Sequence, residues 1–461
     1  VTRRGAAPAR VVVVGASVSG LLVAAALAEP GRQVTLLEKD TLQTAPRSRP
    51  GTPQDRHPHV LLHRGLLAAE NLLPGLQADL RAAGALPVDT GRLAWLGEQG
   101  WAPPSRQYEV LSATRPLLEH VLRTRVRALP GVVVRDGVRV DGLVRGGPDA
   151  LWEVHLADGG TVPADLVVDA SGRASRLPVW LRALGLPVPP TEEVDAGVGY
   201  ASRAYALSRD RVLTAGVIVL ASPGRPVGGI ALPVEDGRWL VGAVGIGDRR
   251  PGRDPEAFRA GLAALPDPVL AELAAAGEPV TEVVVHRRTA NRRHRPGRRT
   301  ALPDGVLMLG DALCAFNPIY GQGVAVAALE AVALRDEVRR GWRPGRSTRR
   351  LQRRFGRLTA LPWAMATGED RRYATVPGRE GRVPALLGRW TRELGRLAAH
   401  GDTATQERVA GVFHLMAPPL VLLHPRLLAA AARARLLGYG TPVPRPRVVV
   451  GAAEEDATAT P

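Results

Sequence analysis

Residues 11–38, VVVVGASVSGLLVAAALAEPGRQVTLLE, constrain the fold more than any other stretch of the chain. Val11 to Ala28, preceded by Arg3 and Arg4, has the hydropathy of a signal peptide or a short membrane span. Its middle, however, carries Gly15, Ser17, Ser19 and Gly20, and a second apolar run, Gln33 to Leu37, follows and ends at Glu38. A four-valine strand, a small-residue turn, an alanine-leucine helix and a second strand form a βαβ unit. The longest apolar stretch elsewhere, Val409 to Leu423, is broken by Pro418 and Pro419. No transmembrane segment is expected, and the location expected is cytoplasmic.

Gly15 to Gly20 stands in the G-x-G-x-x-G register with Ser17 at the second glycine. The first position permits the tight turn, the second lets a pyrophosphate approach the backbone, and the third lets the helix pack on the strand. Glu38 ends the next strand, about 20 residues on, where a ribose-binding carboxylate is required. These residues predict a dinucleotide site.

The 461 residues are 45% hydrophobic and 23% charged, as in a soluble globular enzyme of two or three domains. A single cysteine, Cys314, excludes an intrachain disulfide, a thiol pair and a cysteine zinc cage. The net charge of +17 raises nucleic acid or an anionic membrane as partners. The densest basic run, Arg287 to Arg299, lacks interleaved aromatics on which bases would stack, and reads instead as a solvated or phosphate-facing surface.

A second constellation lies far along the chain. GVLMLGDA, residues 305–312, is a short buried strand ending in Gly310-Asp311, and Asn317-Pro318-Ile319-Tyr320-Gly321-Gln322-Gly323 opens an alanine-rich helix running to about Arg339. The strand delivers a carboxylate and the glycine-lined helix start delivers backbone N–H groups. GDALCAFNPIYGQG resembles the GD motif of the flavoprotein monooxygenases, in which the aspartate holds the FAD ribityl chain and the following helix points at the flavin ring. Further stretches resemble the same family. They are ATRPLLE from Ala113, which sets Arg115 beside FAD, ADLVVDASGRAS from Ala164, with Asp169 and Gly172, and PQDRHPHVLL from Pro53, with Gln54 and His57. This last loop, with EEVDAGVGYASR (192–203) and GRWLV (237–241), is similar to a bacterial subgroup that includes the polyether-type polyene epoxidases. The resemblance spans about residues 11–340. It implies FAD held by Gly15, Ser17, Gly20, Glu38, Lys39, Gln54, Arg115, Asp169, Gly172, Gly310, Asp311, Gly321 and Gly323, with His57, Pro318, Gly321 and Gly323 facing the flavin.

His57, His59 and His63 invite a metal reading, but no matching cluster at ligand spacing stands elsewhere, so no metal is expected. The family's Asp-Gly pair in the returning segment is here Ser171-Gly172. That departure puts direct nicotinamide use in doubt and leaves the reductant as NAD(P)H directly or through a separate flavin reductase.

The expected fold is α/β. A discontinuous Rossmann-type FAD domain (9–70, 112–185, 285–340) would join an antiparallel-rich substrate domain (88–111, 190–285), a C-terminal helical region (345–445) and a disordered tail (446–461). Aromatics are few, Trp 8, Tyr 6 and Phe 4, so Trp95, Trp101 and Tyr108 are read as a substrate wall, with ordinary core packing as the alternative. No Ser-His-Asp or paired-carboxylate arrangement stands out, so no acid or base is assigned. The resemblance implies oxygen insertion through a C4a-hydroperoxyflavin, with O2 as co-substrate, into a large apolar alkene-bearing polyketide or terpenoid. An aromatic hydroxylase and a prenyl-chain reductase stay open as alternatives. A halogenase would carry W-x-W-x-I-P, absent here.

Overall fold

A computed structural model describes residues 8–376 and 382–450. Five parallel strands form the central sheet in the order Val306–Met308, Leu166–Asp169, Arg10–Val14, Gln33–Leu37, Val132–Arg135. Val11 to Val14 are buried throughout, as a strand covered on both faces requires, which is why the stretch reads as an unbroken apolar run. The Val18–Leu27 helix packs against the Gly323–Arg339 helix and the Arg115–Arg127 helix. Thr114 caps the Arg115–Arg127 helix by accepting from the Leu117 N–H at 3.3 Å. The termini of the strands nearest the glycine turn therefore converge on one edge of the sheet, the usual ligand edge of an open α/β sheet.

A sheet of eight strands caps this edge. Val198–Ala206, Arg238–Ile246, Val227–Val234 and Val217–Val219 run antiparallel in that order, and Val217–Val219 pairs in parallel with Ala94–Gly97. Its outer face is covered by the Pro255–Ala263 and Val269–Ala276 helices through Phe258, Leu262, Leu270 and Leu273. Three strands, Thr191–Val194, Asn291–His294 and Cys314–Ala315, link cap and dinucleotide domain.

The C-terminal region is a 27-residue helix, Pro344–Asp370, followed by Arg382–Ala399, Thr403–Phe413 and Pro425–Leu437. One expectation needs correction. Residues 446–450 of the expected disordered tail are ordered: Val448 and Val449 are buried, Leu213 N–H donates to Val448 O at 2.8 Å, and Val450 N–H donates to Arg211 O at 2.9 Å. Two valines that meet the apolar edge of the cap outweigh a composition of proline and arginine. Residues 451–461 lie outside the described ones.

Candidate active site

Gly15 adopts φ +97°, and a Cβ there would sit 2.7 Å from Ala170 O. At Gly20 a Cβ would meet Gly15 O at 1.9 Å, so only glycine lets the helix close on the turn. Ser17 occupies the N-cap position without a side-chain cap bond, leaving the first-turn N–H groups without a side-chain cap. Its hydroxyl instead donates to Glu119 and accepts from Arg115 Nη2 at 2.9 Å. Glu38 accepts from Ala16 N–H at 2.9 Å and Asp40 N–H at 3.1 Å, so its carboxylate is fixed facing the turn. Arg49 lies 3.3 Å from Glu38, 2.8 Å from Asp40 and 3.1 Å from Glu119. Burial alone would push the Glu119 carboxyl up; Arg115 and Arg49 overcome this and hold it below the ordinary carboxylate range. A turn that a Cβ would fill, an uncapped helix start and a fixed carboxylate fit the pyrophosphate and ribose of FAD.

The second half of the site is the Gly310–Gly323 segment. Asp311 lines the cavity, and Arg173 Nε approaches it at 3.6 Å. Arg173 also donates to Ala290 O at 2.6 Å and to Phe316 O, tying three segments together. Gly321 has φ +67° and ends the short Pro318–Tyr320 turn, after which the Gly323–Arg339 helix begins. Gln322 lines the cavity, donates to Phe413 O at 3.3 Å, and keeps a buried Oε1 with no partner among the described residues. This segment is braced from the C-terminal region by Asp370, which accepts from Asn291 Nδ2 at 2.6 Å, Asn317 Nδ2 at 3.2 Å and Tyr320 OH at 2.8 Å. Burial pushes the Asp370 carboxyl up to about 6. Glu330 accepts the Gly310 N–H at 2.8 Å from the helix interior, and burial pushes it up to about 8, so it is largely protonated at neutral pH.

Above these elements His57, Tyr200 and His286 cluster in the wall. The His57 and Tyr200 rings meet edge to face at 4.5 Å, and Tyr200 and His286 lie 5.3 Å apart. Burial, with His286, His59 and Arg56 nearby, pushes His57 down to about 3, so it is neutral. His57 Nδ1 is 2.8 Å from Ser202 Oγ. Ser202 is fully buried with no other acceptor among the described residues, and the pairing that leaves no hydroxyl hydrogen unmatched has Ser202 donating to Nδ1. The His57 proton then resides on Nε2. The Tyr200 hydroxyl makes no hydrogen bond among the described residues, and the residue is 7% exposed. His57 and Tyr200, each neutral at physiological pH, line the cavity.

Gly15, Ser17, Glu38, Asp311, Gln322, His57, Tyr200 and His286 border a cavity of about 2100 Å³. A pocket for one drug-sized ligand is roughly 300–1,000 Å³, so there is room for a dinucleotide and a second molecule. Beyond the histidines the wall is mostly apolar, with Trp95, Ile218, Leu220 and Ile230 from the cap and Phe413 and Leu420 from the C-terminal region. Arg371 and Arg372, also in the wall, are engaged by Glu192, Glu98 and Glu369.

Gly15, Ser17, Glu38, Lys39, Gln54, His57, Arg115, Gly172, Asp311, Pro318, Gly321 and Gly323 all line this cavity. Gly20 does not, consistent with its packing position. Four other residues are corrected. Asp169 is buried in its own turn, accepting from Ser171 N–H at 3.0 Å and from the Ser171 and Ser175 hydroxyls, because the turn needs those groups satisfied. Gly310 packs against Ser19, where a Cβ would lie 2.5 Å from Oγ. Trp101, paired with Leu96, joins the core of the cap, and Tyr108 stacks between His63 and His414 at 5.1 and 5.0 Å. Of the three proposed wall aromatics only Trp95 borders the cavity. Sequence reasoning missed Arg49, Arg173, Tyr200, Ser202, His286 and Asp370. Arg173, Tyr200 and Ser202 stand within quoted motifs; Asp370 carries no local signal.

The model of the family described as "FAD binding domain" matches residues 8–344. The chain belongs to the FAD-binding-domain family. Its fold is that of flavoproteins of known structure. Protein Rv3254 of Mycobacterium tuberculosis is 33% identical over 408 residues, covering 84% of each chain. A flavoprotein/dehydrogenase from Cytophaga hutchinsonii shares the fold with TM-score 0.65 at 17% identity, over 93% of this chain and 99% of that one. PqsL of Pseudomonas aeruginosa, described as a probable FAD-dependent monooxygenase, does so with TM-score 0.60 at 19% identity, over 79% and 97%. The flavoprotein has no helix among its described residues long and apolar enough to cross a membrane, and these hold no group of three or more His, Cys, Asp or Glu placed to bind a metal.

Proposed function

We propose that this flavoprotein is a monooxygenase that epoxidises or hydroxylates a large, mostly apolar alkene-bearing molecule of the polyketide or terpenoid class. The observation that carries the reading is the continuity of the cavity, from the glycine turn past the Pro318–Gly323 segment into an apolar chamber. When bound, reduced FAD supplies the electrons with which one atom of dioxygen is transferred to substrate while the other leaves as water.

The chain's own part is to bind, orient and exclude water. The Gly15 turn, Glu38 and Asp311 would hold the cofactor, and Asp370 braces the Pro318–Gly323 segment beside them. His57 Nε2–H and the Tyr200 hydroxyl offer hydrogen bonds to an oxygen function of the substrate near the reacting end. Trp95, Ile218 and Ile230 take the apolar remainder and keep the chamber dry, which strengthens those hydrogen bonds. Neither donor is a strong base at neutral pH, in keeping with a reaction whose electrophile comes from the cofactor and dioxygen.

The reductant is proposed to be NAD(P)H reacting slowly and with loose specificity, or a separate flavin reductase, because Ser171-Gly172 replaces the family's Asp-Gly and no second nucleotide fingerprint is present in the sequence. Stopped-flow bleaching of the flavin by NADPH alone, at turnover-competent rates and saturating at low micromolar nucleotide, would contradict this part. The reaction itself is tested by incubating the reduced enzyme under ¹⁸O₂ with a panel of polyenes and small phenols. One ¹⁸O in a polyene product supports the proposal. Turnover confined to phenols moves the protein to the aromatic hydroxylases, and a gain of two hydrogens without oxygen makes it a reductase.

A further inference from the structure

The C-terminal helices carry an exposed apolar surface that extends beyond the cavity wall. The Arg382–Ala399, Thr403–Phe413 and Pro425–Leu437 helices close on a small core that includes Leu394, Leu397 and Leu427. Trp390 Nε1 donates to Leu422 O at 2.8 Å, which holds the Pro419–Leu423 turn against the first of these helices. Around this seam five leucines face outward: Leu386 at 66% exposure, Leu387 at 51%, Leu420 at 73%, Leu423 at 48% and Leu428 at 47%. Scattered exposed leucines are ordinary, but a cluster of them marks an interaction surface. Leu387, Leu420 and Leu423 also line the large cavity, so the apolar patch is its rim.

The charge around the rim identifies what would cover it. Residues 385–437 contain seven arginines against three acids, Glu393, Asp402 and Glu407. Glu393 is buried and bonded to Arg435 and Tyr439, while Arg389 and Arg426, beside the leucines in sequence, are exposed. Two such cationic faces repel one another, which disfavours a second copy of this chain, whereas anionic lipid phosphates complement them. Leucines flanked by arginines are the composition of a surface that lies in the headgroup boundary.

We propose that the cavity rim docks on an anionic lipid bilayer, so that an apolar substrate passes from the membrane into the cavity without crossing water. The helices lie on the bilayer, the leucines entering the acyl boundary and the arginines meeting phosphate. The overall charge of +17 draws the molecule to such a surface over longer range. This inference goes beyond the chemistry proposed at the flavin, and its test is read without turnover.

The FAD-loaded full chain is floated with vesicles of phosphatidylcholine alone and of phosphatidylcholine mixed with phosphatidylglycerol, at low and high salt. Flotation is expected with the anionic vesicles only, and weaker in high salt. The variant Leu386→Glu/Leu428→Glu, both outside the cavity wall, should lose at least about tenfold in vesicle affinity while keeping its bound-flavin spectrum and melting temperature. Arg389→Gln/Arg426→Gln should reduce the preference for anionic vesicles. Absence of flotation, or equal flotation of the leucine variant, would overturn the proposal. A dimer of the unmodified protein in sedimentation velocity that the leucine variant converts to monomer would overturn it too, by assigning the rim to self-association.

Discussion

At the dinucleotide end of the cavity the wall is made of backbone and buried charge: Gly15, the uncapped helix start at Ser17, and Glu38 held by two N–H groups and Arg49. At the far end it is mostly apolar side chains brought by the cap and the C-terminal helices, with Trp95, Ile230, Phe413 and Leu420 from four separate segments. The first kind of wall tolerates almost no substitution because a Cβ collides with a carbonyl. The second accepts many apolar residues so long as volume is conserved. The proposed cofactor end is thus built into local chain geometry, and the proposed substrate end into distant packing.

The largest effect should come from breaking the backbone wall. Gly15→Val puts a β-branched side chain at φ +97° with its Cβ 2.7 Å from Ala170 O, and should abolish retention of flavin through gel filtration. Asp311→Ala removes one contact from the same end. It should weaken FAD by about 1–3 kcal/mol, read by equilibrium titration, with the fold intact. An unchanged dissociation constant would make Asp311 a surface turn residue.

Buried acids sharpen the contrast in another way. Glu330 is pushed up to about 8 when folded, against 4.5 for the free group, so the folded protein holds a proton that the unfolded chain releases. Its contribution to stability is complete below about pH 4.5 and is lost as pH rises toward 8. Glu330→Gln should flatten the decline in melting temperature across that window. The smallest effect belongs to the side-chain end. Tyr200→Phe removes one neutral hydrogen bond, about 0.5–1.5 kcal/mol, and should raise KM several-fold while leaving FAD affinity unchanged.

The same division separates the parts of the site that are legible in the amino-acid sequence from those that are not. The glycine turn, Glu38 and the Gly310–Gly323 segment lie in contiguous stretches whose spacing is dictated by the phosphate and the helix start, so reading the chain locally finds them. Trp101 and Tyr108 escape such a reading because strand alternation and the stacking of Tyr108 between His63 and His414 depend on partners far away in sequence. Asp169, at the end of a buried strand beside small residues, has the local pattern of a ligand carboxylate, yet its oxygens are taken by Ser171 and Ser175. Asp370 is invisible in the sequence for the same reason as Phe413 and Leu420. It reaches the site from a helix with no motif, across 53 residues to Asn317.

The central claim is that one cavity holds FAD at its backbone-built end and a long apolar ligand at the other. It is tested most directly by recording difference spectra of the bound flavin while titrating a graded series of polyenes, from short to long, against the native protein and Ile230→Trp. Affinity is expected to rise with chain length until the chamber is filled, and the tryptophan to remove the gain for the longest members. Flavin perturbation by small phenols only, with no dependence on polyene length, would contradict it.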